Sequence, residues 1–341
     1  MTHYTVCMHR ARTSRWKQAA AWAVAAACLA WVLHGIDFRL LAGDVRGLRW
    51  GLVALAVGSQ VLSYVAQGWR WQLLLRPVGG VPVARTTQAI YAGLFASEVL
   101  PLRFGEMVRA WLVARRVGVN LLAILPSVFV ERLFDGIWLA VGIGLTAIAI
   151  PLPPALDRAA DKLGEAVLVV TVAFAVFVFL KRPRRPKEGR RSKLAGWVDS
   201  IAAGLWAIGR SPSFYGALGV SLLFLILQGL AFWCVMLAYG IGLSFWAGAV
   251  VFLVVRLGTA IPNAPANVGT FQFFTVVGLL LFRVHKTEAT GFSLVAFMVI
   301  TLPLLVLGFL ALSRSGTTLW AIREQVFSRG QAAPESPPPG A

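Results

Sequence analysis

Four ionisable residues surround a proline within an otherwise apolar stretch, residues 86–116. The charged residues are Glu98, Arg103, Glu106 and Arg109, and the proline is Pro101. Proline lacks a backbone donor and disfavours helix in the residue before it, so this stretch is predicted to form two half-helices separated at Pro101 and Gly105. The free N–H groups of the second half-helix and the guanidinium group of Arg103 would favour an anion such as a lipid phosphate.

A second apolar stretch, residues 245–283, is interrupted in the same way. Its predicted breaks are Pro262, Pro265 and Gly269. Arg256 is the one charge near this break, and the polar side chains available to a headgroup are those of Asn263, Asn267 and Gln272. The alternative is an ordinary extracellular loop, in which case 245–261 and 269–283 would each cross the membrane.

A third group of charges lies on one predicted helix. Glu131 and Asp135 are four residues apart and share a helix face, with Arg132 three residues before Asp135. Two interpretations stay open: ion pairs that join this helix to Arg103 or Arg109, and direct contact with a substrate. For Glu98, the alternatives are a structural salt bridge with an arginine and a role in proton coupling.

These residues predict binding rather than covalent chemistry. The predicted headgroup contacts are Arg103, Arg109, Arg256, Asn263, Asn267 and Gln272. The predicted coupling or ion-pair residues are Glu98, Glu106, Glu131, Arg132 and Asp135. The sequence contains no phosphate-binding glycine loop, hydrolase pattern or metal-ligand spacing, so we expect a protein that is not an enzyme and has no cofactor or metal.

The composition explains where such charges must lie. Hydrophobic residues make up 58% of the 341 residues and charged residues only 13%, which is too little polar surface for a soluble globule. The net charge of +18 is concentrated in short segments such as 10–17 and 181–193, beside apolar runs. That placement follows the positive-inside rule of membrane proteins and argues against nucleic-acid binding.

Six apolar runs are long enough to cross a bilayer, which takes about 20 residues. They are 16–34, 50–69, 122–150, 165–181, 214–239 and 290–312. Basic residues near Arg70, Arg76 and Arg85, and again at Arg115 and Arg116, place both flanks of the first interrupted stretch on the cytoplasmic side. That stretch is therefore predicted to be a re-entrant hairpin, with both chain termini cytoplasmic. This topology leaves Arg283, His285 and Lys286 outside.

The order of these segments predicts an inverted repeat. Each half contains a span, an amphipathic segment (36–49 or 194–209), a span, a broken-helix hairpin and a span. Three spans per half reverse the orientation of the second half, which is an arrangement typical of transporters. We predict an all-α polytopic protein with an N-terminal segment (1–15), a transmembrane domain (16–312; halves 16–150 and 165–312) and a partly disordered tail (313–341), or eight spans if the hairpins cross fully.

Several motifs together resemble the lysylphosphatidylglycerol synthase transmembrane-region family, also described as flippase-like. The resemblance covers about residues 16–312. The matching motifs are Arg70-Trp71 with Leu74-Leu75, Leu100-Pro101-Leu102-Arg103-Phe104-Gly105-Glu106 with Arg109, Glu131-Arg132-Leu133-Phe134-Asp135, and Pro262 to Pro265 with Val268-Gly269-Thr270-Phe271. The family often has a glycine pair and a nearby Glu at the second break, where this chain has Ala266-Asn267 and Gln272.

The resemblance implies lipid handling at a bacterial inner membrane. Some family members form the membrane half of enzymes that aminoacylate phosphatidylglycerol and move the product across the bilayer, and others occur with glycosyltransferases or in hopanoid-lipid gene sets. The chain ends soon after its last apolar run, so we expect it to lack the aminoacyltransferase domain. The expected function is movement of an anionic or isoprenoid lipid, such as a phospholipid, a hopanoid or a polyprenyl-linked lipid. The alternative is a membrane subunit that binds a lipid-linked substrate for a separate glycosyl- or aminoacyl-transferase.

Overall fold

The fold is known from a computed structural model that describes residues 47–99, 105–150, 193–260 and 267–315, together with residue 30 and some positions in 158–176. Within these ranges all regular secondary structure is α-helical. The first predicted span, most of 165–181, the amphipathic segment before residue 47 and the tail after residue 315 lie outside the described residues. The predicted all-α class is confirmed.

Nine helices are numbered here in chain order. Their bounds are α1 Trp50–Leu75, α2 Val83–Val99, α3 Gly105–Val117, α4 Leu121–Ala149, α5 Lys193–Gly209, α6 Ser213–Tyr239, α7 Phe245–Ala260, α8 Thr270–Leu280 and α9 Lys286–Ser313. In the described part of the chain, α1, α6 and α9 are both long and apolar enough to cross a membrane. Helix α4 has 29 residues but carries three charged side chains in its first half.

One boundary differs from its prediction. The span predicted at 50–69 continues as α1 to Leu75, so Arg70 is an interior helical residue rather than part of a cytoplasmic flank. The predicted span ends before Arg70 because a charged residue normally marks the end of an apolar run. In the folded chain that charge is buried and paired, as described below, so the helix does not need to end there.

The two interrupted stretches fold as antiparallel helical hairpins. In the first, Gly93 of α2 packs against Gly105 of α3, and Arg116 Nη2 donates to Gln88 Oε1 at 3.1 Å, so the two helices run in opposite directions. In the second, Gly258 of α7 packs on the ring of Phe274 of α8. At 1.5 Å per residue, the longest of these four helices, α2, extends about 25 Å, which is short of the roughly 30 Å hydrocarbon core.

Helices α1 and α6 form a central antiparallel pair. The N–H of Arg49 donates to Ala238 O at 3.1 Å, and at the other end Ser213 Oγ donates to Leu73 O at 2.8 Å. Between them Ser59 Oγ donates to Leu227 O at 2.8 Å. Because α1 opens the first half of the described fold and α6 opens the second, the two halves have opposite orientations.

Each hairpin also packs on the last helix of the other half. Gly308 of α9 lies against Tyr91 and Phe95 of α2, and Gly142 of α4 lies against Leu253 of α7. These contacts are equivalent under a two-fold relation between α1–α4 and α6–α9. The described helices of the two halves thus correspond in order and packing, while the inverted repeat over 16–150 and 165–312 stays a prediction.

The predicted amphipathic segment at 194–209 forms α5, which packs on α4. Gly204 lies against the Pro126 ring, and Ile208 is buried in a core that α1, α4 and α6 share. The outward faces of the long helices are apolar, with exposed side chains such as Leu62, Ile148 and Leu302. An exterior of this kind is suited to lipid rather than water.

Candidate functional site

Arg70 of α1 joins two carboxylates of α4. Its Nη1 donates to Asp135 Oδ1 at 2.5 Å, and its Nη2 donates to Glu131 Oε1 at 3.1 Å. The side chain of Arg70 is 1% exposed, and that of Glu131 is fully buried. Ions in an apolar interior are costly unless they are paired, and this geometry pairs both carboxylates with one guanidinium group.

A polar stripe on α1 leads to Arg70. Gln60, Ser63, Gln67 and Arg70 recur every three or four residues, and all four are buried. Gln60 Nε2 donates to the Tyr64 hydroxyl at 2.8 Å, and Ser63 Oγ donates to Gln60 O at 2.7 Å. The sequence analysis assigned Arg70 to a cytoplasmic flank and therefore did not include it among the site residues. The three- and four-residue spacing of this polar stripe, on an otherwise apolar helix, is the signal that could have identified it.

Arg109 of α3 lies on the other side of Glu131. Its Nη2 is 2.6 Å from Glu131 Oε2, in an ionic contact whose angles do not make a hydrogen bond. The guanidinium group also stacks on the Trp71 ring, 4.9 Å from its centroid, and the Trp71 Nε1 donates to Ser127 Oγ at 2.9 Å. The structure thus places Arg109, a predicted headgroup contact, in a buried ion pair with Glu131.

Arg132 of α4 closes the network toward the surface. It forms an ion pair with Glu106 in the first turn of α3, and its Nη1 lies 3.2 Å from Asp135 Oδ2. The side chains of Arg132 and Glu106 are 55% and 42% exposed. Glu106, Arg132 and Asp135, all predicted as ion-pair or coupling residues, are thus brought together.

These contacts form a continuous chain of ion pairs, which we term the central cluster. Its members in order of contact are Glu106, Arg132, Asp135, Arg70, Glu131 and Arg109. Solvent exposure increases along the cluster from the buried pair Arg109–Glu131 to the accessible pair Arg132–Glu106. Arg70 Nε and Arg109 Nη1 have no hydrogen-bond acceptor among the described residues, so the buried end retains unused donor capacity.

Arg256 of α7 brings a charge from the second half to this cluster. Its guanidinium group and that of Arg70 both lie over the Phe224 ring, at 5.7 and 5.1 Å from the centroid. Arg256 is half-buried, and Asp135 and Arg132 both act on its charge. No ion pair joins Arg256 to a carboxylate within the described ranges.

The cluster and Arg256 lie at a similar depth. Glu131 is about 15 Å along α4 from its start at Leu121, and Arg256 is about 16 Å along α7 from its start at Phe245. These two helices begin at opposite ends of the fold. Each distance is about half the thickness of a hydrocarbon core, so the charges meet near the middle.

Glu98 lies near the tip of the first hairpin, one residue before the end of α2. Its charge and that of Arg256 both act on the buried Tyr64 hydroxyl, which accepts the hydrogen bond from Gln60. Glu98 is therefore placed near Tyr64 of α1. Its role stays a prediction.

The tips of both hairpins are only partly described. Pro101 and Arg103 at the first tip, and Pro262, Asn263 and Pro265 at the second, lie outside the described residues. Gly105 begins α3 in close contact with the Gly93 carbonyl, where a Cβ atom would collide. The described helices end at Val99 and Ala260, and the next ones begin at Gly105 and Thr270. The breaks predicted at Pro101, Pro262 and Pro265 stay a prediction.

At the second tip, Gln272 has a structural contact. Its Oε1 accepts a hydrogen bond from the Gly269 N–H at 2.8 Å. The whole residue is only 2% exposed. Gly269 has φ +83°, a conformation that glycine adopts readily. Asn267, at φ +52°, accepts at its carbonyl from Thr270 Oγ1 at 3.0 Å. The predicted headgroup contact Gln272 thus lies in a helix cap.

Two relatives of the chain are, by name, a membrane protein and a glycosyltransferase. It is 25% identical over 288 residues to the UPF0104 membrane protein of Methanothermobacter thermautotrophicus, covering 78% of each chain. It is 25% identical over 276 residues to Glycosyltransferase AglD of Haloferax volcanii, covering 66% of this chain and 42% of that protein. The chain therefore spans less than half the length of AglD.

A family match extends across nearly the whole described fold. Residues 18–308 match the family described as Lysylphosphatidylglycerol synthase TM region. The matched range contains both hairpins, the central cluster and Arg256. This agrees with the family resemblance predicted from the motifs, and the chain is a multi-pass membrane protein that belongs to the lysylphosphatidylglycerol synthase TM region family.

Proposed function

We propose that this protein moves a lipid with an anionic headgroup between the leaflets of a bacterial inner membrane. In this proposal the headgroup passes the middle of the membrane at Arg256 and Arg132, and the lipid tails stay against the apolar exterior. The protein acts as a transporter and not as an enzyme. The lipid is a phospholipid or a phosphate-bearing isoprenoid lipid, because both present the same phosphate chemistry to a guanidinium group.

The observation that carries the proposal is the environment of Arg256. An arginine at mid-depth in a membrane protein is expensive unless it has a partner, and such residues usually line a substrate path. The described carboxylates near Arg256 are already engaged by other arginines, since Asp135 contacts Arg70 and Arg132. A phosphate would provide Arg256 with the anion that the described part of the chain does not supply.

Arg132 is the second headgroup contact in this proposal. It is the most exposed member of the central cluster, and its exposed partner Glu106 can be displaced at small cost because exposed ion pairs are weak. Arg109, by contrast, is held by Glu131 and Trp71. We assign it to fixing α3 against α4 rather than to the headgroup. Arg103 remains a proposed contact at the hairpin tip.

The hairpins supply the route. Both are proposed to re-enter from opposite faces, because their helices are too short to cross and the two halves are inverted. Irregular backbone at membrane depth is stable only where protein covers it or a wet cavity surrounds it. The two hairpins would then border the path, with the basic ends of the first half and both termini facing the cytoplasm.

Glu98 is the proposed coupling group. Its charge acts on the buried hydroxyl of Tyr64, on which the charge of Arg256 also acts. A carboxylate that gains and loses a proton there could alternate between binding and releasing an arginine. If so, transport by Glu98→Gln will no longer vary with pH, whereas the wild-type rate will.

Reconstituted liposomes test the main proposal. Fluorescent phosphatidylglycerol is incorporated in both leaflets, and a membrane-impermeant quencher reports how fast inner-leaflet lipid reaches the outer leaflet. We expect Arg256→Gln to slow this step by about tenfold or more, which corresponds to the loss of one hydrogen bond to a charged group. Fluorescent phosphatidylcholine serves as the zwitterionic comparison, and a fluorescent polyprenyl phosphate distinguishes the two lipid classes.

The matched control is Arg210→Gln, which removes an equal charge. Arg210 stacks on Trp206 at the end of α5, away from the central cluster. We expect its rate to stay within about twofold of wild type, since surface substitutions have small effects. If folded Arg256→Gln moves lipid between leaflets at the wild-type rate, the proposal is wrong.

A second function is favoured by one comparison. AglD is named a glycosyltransferase, and the region similar to this chain accounts for 42% of it. We infer that this chain could instead hold a lipid-linked substrate for a separate glycosyl- or aminoacyl-transferase. In that case the lipid would bind in a way that depends on Arg256, but the liposome experiment would show no movement of lipid between leaflets.

A further inference from the structure

A cavity of about 390 Å³ lies at the open end of the first hairpin, away from the central cluster. Its lining residues are Gly80, Val81, Pro82, Arg85, Arg116 and Val117. Arg85 is in the first turn of α2 and Arg116 in the last turn of α3, so the antiparallel hairpin brings these two guanidinium groups to one cavity. Arg109 is about 10 Å away along α3 from Arg116.

The two arginines lie close enough for the charge of Arg85 to act on Arg116. Arg116 is positioned by Gln88, whose Oε1 accepts from its Nη2 at 3.1 Å. Gln88 is itself fixed, because its Nε2 donates to Ala311 O of α9 at 3.0 Å. No carboxylate forms an ion pair with either arginine in the ranges that the structure describes. Two like charges are thus held together with no carboxylate paired to them among the described residues.

The start of α2 adds a third source of positive potential. The Pro82 carbonyl accepts from the N–H groups of Arg85 and Thr86, so α2 is a regular helix from its first turn. The earlier N–H groups, at Val83 and Ala84, have no acceptor within the helix. They lie between Pro82 and Arg85, which both line the cavity, and the helix dipole at this end favours an anion.

General attraction of a basic membrane face to anionic lipid does not require this arrangement. Arg115 is adjacent in sequence and equally charged, yet its guanidinium group lies over the Trp111 ring at 5.3 Å from the centroid and does not line the cavity. Arg76, at the end of α1, is also outside the lining. The cavity therefore selects Arg85 and Arg116 from the arginines at this end.

We propose that the cavity between Arg85, Arg116 and the start of α2 binds a phosphate group. Two guanidinium groups and free helix N–H groups are the donor set that phosphate oxygens prefer. The phosphate belongs to a lipid headgroup at the membrane surface or to free phosphate, since both have the same oxygens. Binding here does not depend on whether the protein moves lipids between leaflets.

The test uses the full chain in phosphatidylcholine nanodiscs and measures binding by calorimetry. Inorganic phosphate and dihexanoyl-phosphatidylglycerol are titrated separately. The variant R85Q/R116Q is compared with the matched control R76Q/R115Q, which removes the same charge from the same end of the fold. We expect R85Q/R116Q to weaken binding by about tenfold or more, because charge-assisted hydrogen bonds are lost, and the control to weaken it less than about threefold.

The outcomes separate the ligand sources and the site. If R85Q/R116Q, but not the control, weakens the binding of both ligands, the site recognises the phosphate group itself. If it weakens only the binding of the lipid, the site recognises a lipid headgroup. If both double variants weaken binding equally, a diffuse electrostatic field explains the binding and the proposal is overturned. The proposal is also overturned if the wild-type protein binds neither ligand. Melting temperatures check folding, and R85K/R116K, which keeps both charges, should bind more tightly than R85Q/R116Q.

Discussion

Arg109 of α3 and Glu131 of α4 face each other at 2.6 Å, and neither side chain is more than 5% exposed. Glu131 also accepts from Arg70 of α1, so one carboxylate connects three helices. The contact fixes the second helix of the first hairpin to the rest of the fold. Among the described residues, Arg132 and Arg256 are the arginines at this depth that stay accessible.

Replacing Glu131 by glutamine should destabilise the protein strongly. The change leaves Arg109 without an anion in the described fold and leaves Arg70 with Asp135 alone. Removing one partner of a buried ion pair costs about 3–5 kcal/mol. We expect a large fall in the free energy of unfolding, measured by denaturation in detergent micelles. Glu165→Gln, at an exposed position, is the matched control, and an unchanged Glu131→Gln midpoint would contradict the assigned role.

Replacing Glu106 by glutamine should leave stability almost unchanged. Its pair with Arg132 is exposed, and such pairs contribute about 0–1 kcal/mol. The same denaturation experiment measures the difference between Glu106→Gln and Glu131→Gln. In the proposed mechanism Glu106→Gln also frees Arg132 for the headgroup, so we expect tighter binding of short-chain phosphatidylglycerol. A stability loss equal to that of Glu131→Gln would mean that the two ends of the cluster are equivalent.

Gly105→Ala should force the first hairpin apart. The new Cβ would collide with the Gly93 carbonyl and the Ser97 hydroxyl, and backbone cannot move as freely as a side chain. Overpacking of this kind costs about 1–3 kcal/mol, and contact with backbone favours the upper end. Gly58→Ala, on the exposed face of α1 with no atom near its Cβ, is the control and should not destabilise. Equal melting temperatures for the two variants would show that the hairpin tolerates separation.

Cysteine labelling tests the topology. Single cysteines at Arg85 and Arg116, in a background without Cys7, Cys28 and Cys234, should react with an impermeant reagent from the same side of the membrane. A cysteine at His285 should react from the opposite side, because α9 begins at the other end of the inverted fold. Labelling of positions 85 and 116 from different sides would mean that the first hairpin is a full span.

The sequence by itself determined the helical class, and it predicts the two breaks and the repeat. Long apolar runs have one low-energy solution in lipid, and proline and glycine interrupt helices wherever they occur, so Pro101 and Gly105 mark their break through local chemistry. The family motifs and the group Glu131, Arg132 and Asp135 are also local. Their spacing on one helix was sufficient to predict ion pairing.

Only the tertiary structure decided which charges pair and which stay accessible. Arg70 and Glu131 are 61 residues apart, and Arg256 reaches the same place from the other half. The sequence places Arg70 equally well in a loop and Arg109 equally well against a headgroup, because a charge carries no information about its depth. Depth and partner are set when α1 packs against α6 and the first hairpin packs against α4. That packing buries Arg109 and leaves Arg256 without a carboxylate partner in the part of the chain that the structure describes.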